Sequence, residues 1–395
     1  MKSLQTDIVI VGGGIAGLWM LNTLTKQGYD VLLLEANELG GGQSTRSQGI
    51  IHGGIKYALN GVLSQASDAI KDMPARWKAC LAGLGEVDLQ GVTQLSDAHY
   101  LWSQRSLGSK ITSFFAKKAM SGRVDSVDKQ DYPLLFQDKK FKGNLYRLNE
   151  VVLDIPSVIR KLSEQLTQRI LQLDTQQCQW QKDASGNIMS LTSNDQQLNI
   201  SAQRFIFAAG EGNAAILDAL AINSPQMQVR PLHMVMATHR SNLPIYAHCI
   251  GTSSKPLVTL THHINNDGSF TWYYGGDIAE TGLEYTSEQQ IARAQALTAQ
   301  ILPWVTLEDA QWQTLRINRA EPKQSALSRP DAAFLATDHN YFIAWPTKLA
   351  LAPDLSDKVI AALQAQKIVA KYSLTAQQLA NLNSTKVAQT AWEPV

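Results

Sequence analysis

The sequence predicts an α/β chain, α+β overall, in which a parallel-sheet domain is interrupted by a mainly antiparallel one. Three observations carry that expectation. An apolar, β-branched run ends in a glycine cluster at residues 12–17 and passes into a stretch of helical composition. Strand-like and helical stretches alternate at both ends of the chain, as in a parallel sheet covered on both faces. Between about Met234 and Thr281 the texture changes to alternating, aromatic-rich runs that suit antiparallel strands.

Taken in order, Asp7–Val11 and Val31–Glu35 are short runs rich in valine, isoleucine and leucine, and Ala16–Lys26 between them is helical in composition. Arg204–Ala209 is a further apolar run that ends in Gly210 and leads into the helical stretch Ala214–Leu220. Phe270–Tyr274 reads as a strand, with Asn266-Asp267-Gly268 as the hairpin turn before it. Gln289–Ile301 returns to helix, and the polar stretch from Asn381 reads as an exposed end.

Composition narrows the function. Of the 395 residues, 44% are hydrophobic and 17% charged, which excludes a disordered tail or a highly charged nucleic-acid binder. A net charge of +1 provides no global field to draw nucleic acid or an anionic membrane. Three scattered cysteines make no disulfide framework, so a reducing, cytoplasmic location is expected. The apolar run Ile8–Leu21 falls short of the ~20 residues that cross a bilayer. It has glycines at its centre and no cleavage site behind it, so it reads as a strand entering a helix.

Val9-Ile10-Val11-Gly12-Gly13-Gly14-Ile15-Ala16-Gly17 fits G-x-G-x-x-G placed after a strand and opening a helix. Gly12 permits the tight turn, Gly14 lets the backbone approach a pyrophosphate, and Gly17 allows helix and strand to pack closely. The first helical amides, at Ile15 and Ala16, offer hydrogen-bond donors and a partial positive charge to phosphates. Glu35, followed by Ala36, stands at the ~20-residue spacing where a carboxylate accepts from the adenosine ribose. The motif alone does not separate NAD from FAD.

The segment Gly40-Gly41-Gly42-Gln43-Ser44-Thr45-Arg46-Ser47-Gln48-Gly49-Ile50-Ile51-His52-Gly53-Gly54-Ile55-Lys56-Tyr57 separates them. It resembles the flavin loop of the D-amino-acid oxidase / glycerol-3-phosphate dehydrogenase superfamily of FAD enzymes. The resemblance is closer to the glycerol-3-phosphate dehydrogenase and L-2-hydroxyglutarate dehydrogenase branch. It implies a Rossmann-like FAD-binding domain with an inserted, mainly antiparallel substrate domain. The FAD-binding domain would comprise residues 1–85, 145–225 and 320–380, and the substrate domain residues 86–144 and 226–319, followed by a tail at 381–395. Gln43, Ser44, Thr45, Ser47, Gln48 and Gly49 are the cofactor contacts it implies in this loop. Ala209-Gly210 and Pro346-Thr347-Lys348 resemble the second and last cofactor-contacting turns, although the last lacks the usual paired glycines. Some relatives link FAD through a late cysteine; none lies beyond Cys249 here, so FAD is expected to be held non-covalently.

The same resemblance implies an oxidoreductase that passes a hydride from an anionic secondary alcohol, a 2-hydroxy acid or polyol phosphate, to flavin N5. An alcohol needs a base, and His52 and His233 are the candidates. The resemblance puts Lys56 where the glycerol-phosphate branch has an arginine that grips the phosphate, Tyr57 at the tyrosine beside it, Arg319 at an arginine that holds a carboxylate or phosphate in several branches, and Lys348 at a lysine of the last flavin loop, so together they imply an anionic substrate. The alternatives are an amine or amino-acid oxidase, which needs no dedicated base, and a flavoprotein acting on a protein partner. Oxygen, a quinone or a soluble carrier would take the electrons. His262-His263 lacks ligand spacing and reads as surface, and no metal site is expected. The basic stretch Arg105–Arg123 reads as a solvated helix face in preference to a peripheral contact with the inner face of a membrane.

Overall fold

Strand β1 (Lys2–Val11) is buried almost throughout, because its second half is a continuous apolar run flanked by strands on both edges. The computed structural model describes residues 1–54, 66–103, 124–251, 255–323 and 332–393. Helix α1 (Ile15–Lys26) leads from β1 to β2 (Val31–Glu35), which lies parallel to β1 with Ile8 opposite Val31. The chain then contributes short helices at Ala66–Lys71 and Met73–Leu81, and the strands β3 (Gln94–Ser96), β4 (His99–Ser103), β5 (Val124–Ser126), β6 (Leu145–Leu148) and β7 (Val152–Leu153). A helix at Ile155–Glu164 precedes β8 (Ile170–Gln172), β9 (Gln179–Lys182), β10 (Ile188–Ser193) and β11 (Leu198–Phe207). The long strands β12 (Met227–His239), β13 (Ala247–Ile250), β14 (Pro256–Ile264) and β15 (Phe270–Gly275) follow, then a helix at Ser287–Ile301 and β16 (Gln311–Pro322). The hairpin β17 (Phe334–Asp338) and β18 (Tyr341–Trp345) and a helix at Ala352–Ala365 return to the first layer.

Two eight-stranded sheets result. The first has the order β17-β18-β11-β1-β2-β8, with β10 and β9 continuing from β11. Its central ladders are parallel: β11, β2 and β18 all run in the direction of β1. One core packs α1 and the helices at 73–81, 155–164 and 352–365 against one face, and a second, with Phe205, Phe207 and Trp345, fills the other. The second sheet has the order β16-β12-β15-β14-β13-β4-β6-β5 and is antiparallel except between β13 and β4. Its strands meet the expected texture, and the Asn266–Gly268 turn joins β14 to β15. Two expected boundaries move: β6 at Leu145–Leu148 and the end of β16 at Pro322 belong to the second sheet by their pairing.

The tail is not an exposed end. Val387 bridges Leu39, Asn383 accepts from the amide of Gln172 at 2.8 Å, and Trp392 is only 8% exposed. Its ring lies 4.8 Å from Tyr273 and 4.3 Å from His263. A few apolar residues anchor a segment whose polar average hides them. His262 and His263 are likewise buried, at 2% and 4% exposure, and not on the surface. They sit near the end of β14, where one faces Phe270 and the other Trp392.

Trp392→Ala should lower unfolding free energy by about 3 kcal/mol, read by chemical denaturation, because a large buried ring leaves a cavity. Burial, aided by a neighbouring histidine in each case, pushes His262 down to about 4 and His263 down to about 3. Unfolded histidine titrates near ~6.5. The unfolded chain therefore binds more protons as pH falls below that value. Thermal stability should decline with falling pH from about 6.5 toward 4, and His263→Phe should flatten that decline.

Candidate active site

A cavity of about 880 Å³ opens at the carboxyl ends of β1, β2 and β11, where open parallel sheets take their ligands. The glycine turn, the loop of residues 40–50, Ala209-Gly210 and Pro346–Leu349 form its first-sheet walls. Leu232, Met234, Ile317 and Arg319 close it from β12 and β16.

The first-sheet end is shaped for a dinucleotide. Gly12 has φ +115°, and a Cβ there would stand 2.6 Å from the carbonyl oxygen of Ala208. At Gly17 a Cβ would lie 1.9 Å from the carbonyl oxygen of Gly12, so α1 starts in direct contact with the turn. At Gly14 it would meet only the Ser44 hydroxyl, at 3.3 Å, so the cavity side stays open to a phosphate. The Ser44 hydroxyl accepts from the Ile15 amide at 3.0 Å. Glu35 is oriented by the amides of Gly13 at 2.6 Å and Asn37 at 2.9 Å, and still borders the cavity. Ala16, Ala36, Gln43, Ser47, Gly49, Ala209, Gly210, Pro346 and Thr347 also line it. Thr45 does not: its hydroxyl turns back to the carbonyl of Gly40 at 3.0 Å, so its part is to shape the loop. Gln48 lines the cavity, but its side-chain amide crosses to the second sheet and donates to the carbonyls of Thr259 and Tyr273.

His52 stands on the cavity wall with its Nδ1 3.2 Å from Oε2 of Glu150. The other carboxylate oxygen accepts from the Gly53 amide at 2.8 Å. Burial works against ionisation of Glu150, which is 1% exposed, yet His52, His99 and the Gly53 amide together hold its carboxyl below the usual range. The His248 ring stacks 5.8 Å from His52 and lies tilted 4.2 Å from His99, with its Nδ1 2.7 Å from the Thr259 hydroxyl. Donor atoms of His52, Glu150 and His248 fall within 4.8 Å of one another, a grouping that no local pattern announces.

His233 is not at the site. Along β12, Leu232 and Met234 face the cavity, and strand alternation turns His233 the other way. There it is fully buried, with Nδ1 donating to the carbonyl of Gly282 at 2.9 Å. Its cross-strand neighbour Arg316 donates to the carbonyls of Leu283 and Tyr285 and also borders the cavity. Arg319 lines the cavity, with Nη2 3.9 Å from Glu280; Lys348 lines it from the last turn. Arg46, which sequence reasoning did not single out, also borders the cavity, and its carbonyl accepts from Tyr273. Lys56, Tyr57 and the basic stretch Arg105–Arg123 lie outside the described residues.

The family described as FAD dependent oxidoreductase (DAO) matches residues 7–341. The chain belongs to this family. It is an FAD-dependent oxidoreductase, and the glycine turn, Glu35 and the 40–50 loop are the residues that would hold the cofactor. A probable FAD-dependent oxidoreductase of Pseudomonas aeruginosa is 48% identical over 393 residues, covering 99% of this chain and 98% of that protein. The crystal structure of that FAD dependent oxidoreductase superposes with a TM-score of 0.86 over 99% of this chain and 98% of its own. Glycine oxidase from Geobacillus kaustophilus has the same fold at 14% identity, with a TM-score of 0.65 over 96% of this chain and all of its own. Similarity to one subunit of the anaerobic glycerol-3-phosphate dehydrogenase of Haemophilus influenzae, 36% identical, spans 72 residues, 18% of this chain and 13% of that one. No helix among the described residues is long and apolar enough to cross a membrane.

Gly14→Val should leave the fold intact and remove bound flavin, because its side chain enters the space open to phosphate. Gly17→Ala should lose both flavin and stability, because its methyl meets backbone. Flavin absorbance of the purified variants, read beside their unfolding midpoints, separates the two outcomes.

Proposed function

We propose that this oxidoreductase oxidises a small anionic secondary alcohol, a 2-hydroxy acid or a polyol phosphate. The observation that carries the reading is the convergence on one cavity of an imidazole, His52, with cations that include Arg319 and Lys348. An alcohol must shed its hydroxyl proton, and a histidine accepts one near neutral pH. An amine only needs to be neutral, so an oxidase of amino acids would need no such base. FAD, when bound, supplies the acceptor for the two electrons that leave with the C–H bond.

The chain's own residues do the rest. Arg319 presents a planar fork suited to a carboxylate or phosphate, and Lys348 adds a second charge from the facing turn. Leu232, Met234 and Ile317 form an apolar wall that favours a short, compact substrate and keeps water from the reacting carbon. The partial similarity to glycerol-3-phosphate dehydrogenase supports a polyol phosphate as one member of the class. The substrate's electrons then pass to an acceptor such as oxygen, a quinone or a soluble carrier.

The test is anaerobic bleaching of the flavin absorbance by a panel of anionic alcohols and amino acids. Reduction by a hydroxy acid or polyol phosphate supports the reading; reduction by amino acids alone replaces it with an amine oxidase. With the active substrate, Arg319→Ala should raise KM about 10- to 100-fold and leave kcat within a few-fold, the loss of a charge-assisted contact.

A further inference from the structure

We infer that Glu150 is a positioning residue for His52, holding the imidazole in the tautomer that leaves Nε2 to take the substrate's hydroxyl proton. This rests on the reading of His52 as the base.

An ionised carboxylate only accepts hydrogen bonds. One oxygen of Glu150 takes the Gly53 amide and the other faces His52 Nδ1, so Nδ1 must carry a hydrogen. In the neutral ring the lone pair then belongs to Nε2, and His52 lines the cavity. Because Gly53 follows His52 directly, one carboxylate fixes both the ring and the backbone that bears it. The grip is protected from solvent, since the Glu150 side chain is 2% exposed and that of His52 17%.

The surroundings favour a positioning role. Glu150 from the turn between β6 and β7 and His248 from β13 pack against His52, and His99 from β4 packs behind them against His248 and acts on Glu150. His248 stacks at an interplanar angle of 18° on His52 and is itself held by the Thr259 hydroxyl, so ring rotation of His52 is limited. A purely structural glutamate could hold Gly53 from the protein interior without presenting its second oxygen to the imidazole. The donor set also has the spacing for a bound cation, and a metal is therefore a distinct outcome of the test.

Glu150→Gln nearly preserves shape and decides the matter. Its one carbonyl oxygen can satisfy Gly53, which turns the amide N–H toward His52 and reverses the ring tautomer. With the alcohol identified by flavin bleaching, kcat should fall by about 10²–10⁴-fold, the worth of a general base, while KM stays within about threefold. Nitrogen NMR of protein labelled in its histidine rings gives a readout independent of turnover. The signals of His52, assigned by their loss in His52→Gln, should show protonated Nδ1 and unprotonated Nε2 in the wild type above the acid limb of the rate profile. They should exchange roles in Glu150→Gln. A wild-type ring protonated at Nε2, or a variant with kcat within threefold of wild type, overturns the inference. So does a stoichiometric metal in the purified enzyme whose removal abolishes activity, since Glu150 would then be a ligand. If no alcohol reduces the flavin, the substrate reading fails while the NMR still decides the tautomer.

Discussion

A Cβ at position 17 would stand 1.9 Å from the carbonyl oxygen of Gly12, and one at position 12 would stand 2.6 Å from that of Ala208. These two absences let three backbones meet at the end of the first sheet: the turn after β1, the first turn of α1 and the exit of β11. Everything around the cofactor cavity follows from that contact. It directs the free amides of α1 into the opening between β1 and β11, and it brings Ala209-Gly210 opposite the turn. Glu35, at the end of the neighbouring parallel strand, then reaches the Gly13 amide and holds its carboxylate at the rim.

Polar ties join the second sheet to this platform. Gln48 donates across to two carbonyls of β14 and β15, and Tyr273 donates back to the carbonyl of Arg46. The fit is close: a Cβ at Gly275 would lie 2.3 Å from Oε1 of Gln48. These ties set the flavin loop against the substrate sheet and leave the faces of Leu232, Met234 and Ile317 to wall the space between. The tail adds a clasp, with Val387 beside Leu39 and Trp392 against Tyr273.

Charge is distributed to match. The whole chain is near neutral, yet Arg46, Arg319 and Lys348 line one cavity. The buried anion Glu150 faces histidines, so its charge acts on an imidazole.

The sequence by itself determined the nucleotide end of the site. The glycine turn, Glu35, the loop that ends at His52, and the turns at 209–210 and 346–348 are local patterns, because phosphate binding needs backbone within a few residues of itself. It also determined the division into a parallel and an antiparallel layer, since periodicity records which faces are covered. Tertiary structure decided the rest. His233 and Arg319 were both candidates as letters, one for a base and one for an anchor, but strand alternation in β12 turns His233 away from the cavity while Arg319 lines it. Glu150 lies 98 residues from His52, without a motif, and is joined to it only when β6 and β7 are laid down beside the flavin loop. Trp392 reads as part of a polar tail until the fold supplies Tyr273 for it to cover. Side-chain direction and contact between distant segments are set by how strands pair and layers pack, and those are properties of the whole chain.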